Sequence, residues 1–194
     1  AAVQPVVAGT PGQRVIARVP GQGVGVGRSR QVLDQRQRVA LRIPARGGAK
    51  VTAFDYEAVK DAPLSFDRVY SEDEIWKNYE YYIKALLPVA EEAGVTLALH
   101  PDDPPVPALG GVARIMRSFD AFKRAMEIGN SPNHQLDFCV GSWSEMSPEE
   151  CMQGLHYFGK QGKIAYVHFR DVLGKVPKFR EAFIGEGNLD QTIE

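Results

Sequence analysis

Long apolar runs are missing from this sequence of 194 residues. None approaches the roughly 20 residues of a membrane span, so a helical transmembrane protein is not expected. Cysteine is scarce: Cys139 and Cys151 are the only two, which rules out a disulfide-dense scaffold and makes a reducing, cytoplasmic compartment the default. An excess of either charge is also missing. The formal net charge is −1, and nothing in the balance points to nucleic acid or to an anionic membrane as partner. The N-terminus lacks the basic cluster and apolar block of a secretory signal. What remains is a chain 44% hydrophobic, long enough for one ordinary domain but short of the roughly 250 residues of a closed eight-stranded β/α barrel.

Lysine is absent from residues 1–47, which carry eight arginines and a single acid, Asp34, in a Gly-, Val- and Gln-rich background. Residues 48–194 have mixed charges, aromatics and clear periodicity. The composition shift places a seam near residue 47. The first segment is expected to be poorly ordered, because it has few large apolar side chains to offset ordering entropy. A basic arm for an anionic partner is the functional alternative, and an out-of-frame start is a third reading.

After the seam, Ala49–Tyr56 reads as a short strand. A helix is predicted from about Glu72 to Ala93, with Ser71 and Glu74 as a capping box, apolar residues from Ile75 to Ala90 at helical spacing, a kink at Pro88 and a stop at Gly94. Val95–His100 reads as a strand buried on both faces. A Pro/Gly loop over 101–111 precedes a helix near Phe119–Ile128. Gln135–Gly141 reads as a second strand. Ser147–Pro148–Glu149–Glu150 starts a helix running to about Gly159, and Lys163–Phe169 reads as a third strand. The alternation predicts an α/β fold with parallel strands and covering helices.

Each strand ends in a metal-competent side chain: His100, Cys139 and His168. They lie 39 and 29 residues apart, close to the roughly 31 residues per β/α unit of a 250-residue barrel. Side chains at the same end of successive parallel strands can converge, and two imidazoles with a thiolate form a sensible ligand shell. His134, in a Ser-Pro-Asn loop, and His156, in a helix, read as structural or solvent-facing. Cys151 reads as helix packing. Asp102 is a candidate for orienting His100 or touching substrate, against simple turn chemistry; Asp103 reads as turn chemistry. Arg170, two residues beyond His168, suits a substrate carboxylate, against an ion pair with an acid such as Asp171.

HPDDPP at 100–105, LGGVARIM at 109–116, LDFCVGS at 136–142 and YVHFRDV at 166–172 together resemble the D-mannonate dehydratase family, one of the xylose-isomerase-like metal-dependent barrels. The likeness covers about residues 48–194 and does not extend to 1–47. It implies a partial (β/α)8 TIM barrel and a lyase that removes water from D-mannonate to give 2-keto-3-deoxy-D-gluconate in hexuronate breakdown. The sugar acid is the implied small-molecule partner, and a homo-oligomer is an open option. The family's metal, usually manganese, is held by histidine, cysteine, histidine and aspartate. The first three fall on His100, Cys139 and His168. No convincing match for the aspartate precedes Glu194, and the family's acid/base residues also come from a later part, so no catalytic acid or base is assigned. A thiolate ligand favours softer metals, which keeps iron and zinc as alternatives. A sugar isomerase or epimerase on the same scaffold, and a non-catalytic barrel fragment, are the rival readings.

Overall fold

The computed structural model describes residues 41–189. The predicted disorder of residues 1–40 lies outside them. The rest of the segment before the seam is ordered: Leu41–Pro44 is a strand, β1, paired antiparallel with β2 (Lys50–Asp55). The change of composition at residue 47 therefore falls within a hairpin and does not mark the start of ordered structure.

The first helix, α1 (Glu72–Glu92), begins where its cap dictates: the Ser71 side chain accepts from the Glu74 backbone N–H. Trp76, Ile83, Leu87 and Ala90 form its buried face, and Pro88 sits within the helix. Gly94, at φ 65°, lets the chain leave the helix through a backbone conformation that other residues adopt at a cost. β3 (Leu97–Leu99) follows. The loop after it contains a small hairpin, β4 (Ala108–Leu109) with β5 (Val112–Ala113), turned by Gly110 and Gly111 at positive φ. α2 (Phe119–Ile128) is capped by Ser118, and β6 (His134–Cys139) returns to the sheet.

The second strand ends two residues earlier than its sequence suggests. Val140–Met146 is a helix, α3, which runs almost directly into α4 (Pro148–Lys160), capped by Ser147. β7 (Ile164–His168) completes a parallel three-stranded sheet of order β3-β6-β7. The hairpin β8 (Asp171–Lys175) and β9 (Lys178–Ala182) pairs with β2 in a separate antiparallel sheet of order β1-β2-β9-β8.

The main core lies between the parallel sheet and its helices. Trp143 stacks on Phe138 at 4.9 Å and lies 4.6 Å from Phe122, with all three rings fully buried. Gly154 lets α4 approach this cluster, since a Cβ there would stand 2.8 Å from the Trp143 ring. A smaller core of Phe54, Val59, Val106, Val172 and Phe179 lies under the antiparallel sheet. Of the three parallel strands, β6 alone is well buried. Val95 before β3 is 51% exposed, and Tyr166 in β7 is 60% exposed. The expectation that Val95–His100 is buried on both faces fails because β3 and β7 are edge strands of this sheet among the described residues.

His134 is structural, as its sequence context suggests. Its Nδ1 donates to the Gly129 carbonyl at 2.9 Å, and its Nε2 accepts from the Tyr79 hydroxyl at 3.0 Å. Burial pushes its pKa down, consistent with a neutral ring. His156 lies exposed on α4, and Cys151 is buried in the core.

Candidate functional site

Three strand ends build the site. His100 follows β3, Cys139 closes β6 and His168 closes β7, with Cys139 and His168 directly paired in register. The parallel direction of the strands brings all three to one edge. Their donor atoms lie within 4.8 Å of one another, with Cys139 buried and both histidines accessible. The His100 and His168 rings are 6.2 Å apart.

The local chemistry fits a cation. The Nδ1 of His100 donates to the Pro101 carbonyl at 2.7 Å, which directs the Nε2 lone pair toward the centre when the ring is neutral. Without a metal, the hydrogen bond to Cys139 raises the His100 pKa against the opposing effect of burial. Burial opposes a thiolate at Cys139, but hydrogen bonds from His100 and Ser142 outweigh it and hold the thiol below its ordinary value. Asp137, two residues before Cys139 on β6, adds negative charge felt by His100, and its Oδ1 is buried without a hydrogen-bond partner.

Beside the centre is Arg170, whose side chain is only 14% exposed. Its Nε donates to Glu181 at 2.9 and 3.0 Å, and its Nη2 donates to the same carboxylate at 2.5 Å. Nη2 also lies 2.7 Å from Glu145 Oε1, at ion-pair distance but without hydrogen-bond alignment. Nη1 donates to Asp103 at 2.9 Å and to the Ser142 hydroxyl at 3.2 Å. Burial pushes the Glu145 carboxyl up to about 9, helped by the Asp103 charge and opposed by Arg170. The alternative partner considered for Arg170, Asp171, instead accepts from the backbone N–H groups of Val172 and Gly187.

Asp102 is held by its own loop. It accepts from the Met116 N–H at 2.9 Å and from Arg114 at 3.3 Å, while the His100 ring is oriented by a carbonyl. A cavity of about 880 Å³ adjoins this region, with Asp102, Asp103, Arg114, Arg170 and Glu181 on its wall. His100, Cys139 and His168 do not line it.

The structure brings together the three side chains that the sequence singles out, and adds residues around Arg170 that it does not. Asp103 is more than turn chemistry, since it accepts from Arg170, and Ser142, Glu145 and Glu181 join it there. Ser142 carried a usable signal, since a residue three after Cys139 falls on the same side of a helix begun there. Glu145 and Glu181 lie in elements that were not foreseen.

A model of the D-mannonate dehydratase (UxuA) family matches residues 57–193. Mannonate dehydratase 2 of Halalkalibacterium halodurans is 31% identical over 132 residues, covering 68% of this chain and 38% of that protein. The mannonate dehydratase of Streptococcus pneumoniae is 33% identical over 130 residues, covering 67% of this chain and 35% of the relative. The crystal structure of mannonate dehydratase from Streptococcus suis serotype 2 matches with a TM-score of 0.69 at 31% identity, over 79% of this chain and 47% of that one. The chain therefore spans little more than a third of the length of these curated relatives.

Proposed function

The chain belongs to the D-mannonate dehydratase family, and on that premise we propose that it carries the core of a metal centre for dehydrating D-mannonate to 2-keto-3-deoxy-D-gluconate. The observation that carries this reading is the convergence of His100, Cys139 and His168 donors within 4.8 Å at the ends of adjacent parallel strands. The match to the Streptococcus suis structure supports reading those strands as an arc of a (β/α)8 barrel.

His100 and His168 would supply imidazole nitrogens, and Cys139 a thiolate. Three donors leave room for a further ligand and for substrate, as a catalytic rather than a structural site requires. The metal is manganese by family resemblance. The thiolate makes iron and zinc the alternatives.

When bound, a divalent cation supplies positive charge that makes the proton beside the substrate carboxylate more acidic. The chain's own residues prepare for this. The Pro101 carbonyl fixes the His100 ring, and Ser142 donates to the Cys139 sulfur at 3.3 Å. Asp102 and Arg170 stand on the wall of the adjoining cavity, where contact with a sugar acid is available. Arg170 already pairs with the carboxylates of Asp103 and Glu181, so any substrate carboxylate there competes with them.

Metal analysis of the purified chain tests the reading. About one equivalent of divalent metal is expected, lost in His100→Ala and in Cys139→Ala; unchanged metal content in both variants overturns it. Product analysis with D-mannonate separates the chemistries, because a 2-keto-3-deoxy acid marks dehydration and an isomeric sugar acid or ketose marks an isomerase.

A further inference from the structure

We propose that Arg170 is a positioning residue for the three-donor centre, acting on the Cys139 sulfur through the Ser142 hydroxyl. The proposal rests on the metal reading above and adds to it what fixes the sulfur donor.

Three donors on three separate strands need a common reference, and Arg170 touches all three segments. Its backbone lies two residues after His168. One nitrogen, Nη1, donates both to Asp103, three residues after His100, and to Ser142, three residues after Cys139. The planar guanidinium fixes the angle between those two bonds, which a flexible ammonium does not. Nε and Nη2 are anchored on Glu181 of β9, and Glu145 of α3 lies against Nη2. All three guanidinium nitrogens therefore face acceptors, and the group has little freedom to rotate.

The hydroxyl of Ser142 is the link. A serine oxygen can accept a hydrogen bond while donating its one proton. Ser142 accepts from Arg170 at 3.2 Å and donates to Cys139 Sγ at 3.3 Å. With the Arg170 proton occupying one lone pair, the hydroxyl proton is directed to sulfur. Ser142 is fully buried, so water does not compete for it. Gly141 makes the arrangement possible, because a Cβ there would stand 2.7 Å from the Arg170 side chain. Asp103 and Glu181 hold the arginine in place, and the arginine sets the serine.

The test is absorption spectroscopy of the cobalt-loaded 194-residue chain, since a thiolate on cobalt gives a sulfur-to-metal charge-transfer band. Losing a hydrogen bond raises the energy of the sulfur lone pairs. Ser142→Ala is therefore expected to move the band to longer wavelength and to weaken cobalt affinity by about 10-fold. Arg170→Lys is expected to shift the band in the same direction, and the double variant to shift it no further than Ser142→Ala alone. An unshifted band in Ser142→Ala overturns the proposal. So does an unshifted band in Arg170→Lys, or a full additive shift in the double variant. A chain that shows no thiolate band before any substitution contradicts the metal reading itself, and is distinguished by that from failure of the relay.

Discussion

At the scale of single residues, His100, Cys139 and His168 were legible as a set because each falls at the end of a strand, at a spacing close to one β/α repeat. The surrounding acidic side chains were not legible. Asp103, Glu145 and Glu181 come from a loop, a helix and a hairpin far apart in sequence, and only the tertiary structure shows that one guanidinium serves all three. Glu145 has a consequence for stability. Burial raises its pKa from 4.5 to about 9 in the folded chain, so the folded state keeps a proton that the unfolded state has lost. The stabilisation from that group is complete below pH 4.5 and falls away as pH rises toward 9. Glu145→Gln mimics the neutral acid at every pH. Denaturant unfolding between pH 5 and 9 should show the unaltered chain losing stability relative to Glu145→Gln, and parallel profiles would refute the assignment.

At the scale of elements, helices with caps were readable. Ser71, Ser118 and Ser147 each accept from a backbone N–H three residues on, and α1, α2 and α4 begin where expected. Helix α3 escaped because its first residues continue the apolar run of β6, no side chain caps it, and six of its seven residues are buried, which erases the amphipathic signal. The hairpin β8–β9 escaped because its strands, DVLGK and KFREA, carry charges and a glycine in place of a clean apolar alternation. The packing of α4 on α3 gives a direct test. Gly154→Ala improves helix propensity by about 1 kcal/mol, yet its Cβ would meet the fully buried Trp143 ring at 2.8 Å. Overpacking costs about 1–3 kcal/mol, so net destabilisation is expected in urea unfolding. A stabilised variant would mean that the ring moves aside readily.

At the scale of the whole molecule, the parallel sheet presents β3 and β7 as edges among the described residues, and Tyr166, Val167 and Phe169 are exposed along β7 and just beyond it. Unpaired strand edges with apolar faces favour association. Sedimentation of the chain over a range of concentrations should show self-association, and a monomer at every concentration would argue that these faces are solvated as they stand. The alternation of strand and helix made the α/β class readable, while the antiparallel sheet that supports Arg170 through Glu181 was not expressed in that alternation. The proposed metal centre is also long-range: His100, Cys139 and His168, 39 and 29 residues apart in sequence, come within 4.8 Å of one another. X-ray absorption at the zinc edge of the zinc-loaded chain is the decisive measurement. One sulfur scatterer at about 2.3 Å with imidazole nitrogens at about 2.0–2.1 Å is expected, with loss of the sulfur shell in Cys139→Ser. A shell of nitrogen and oxygen alone in the unaltered chain would contradict it.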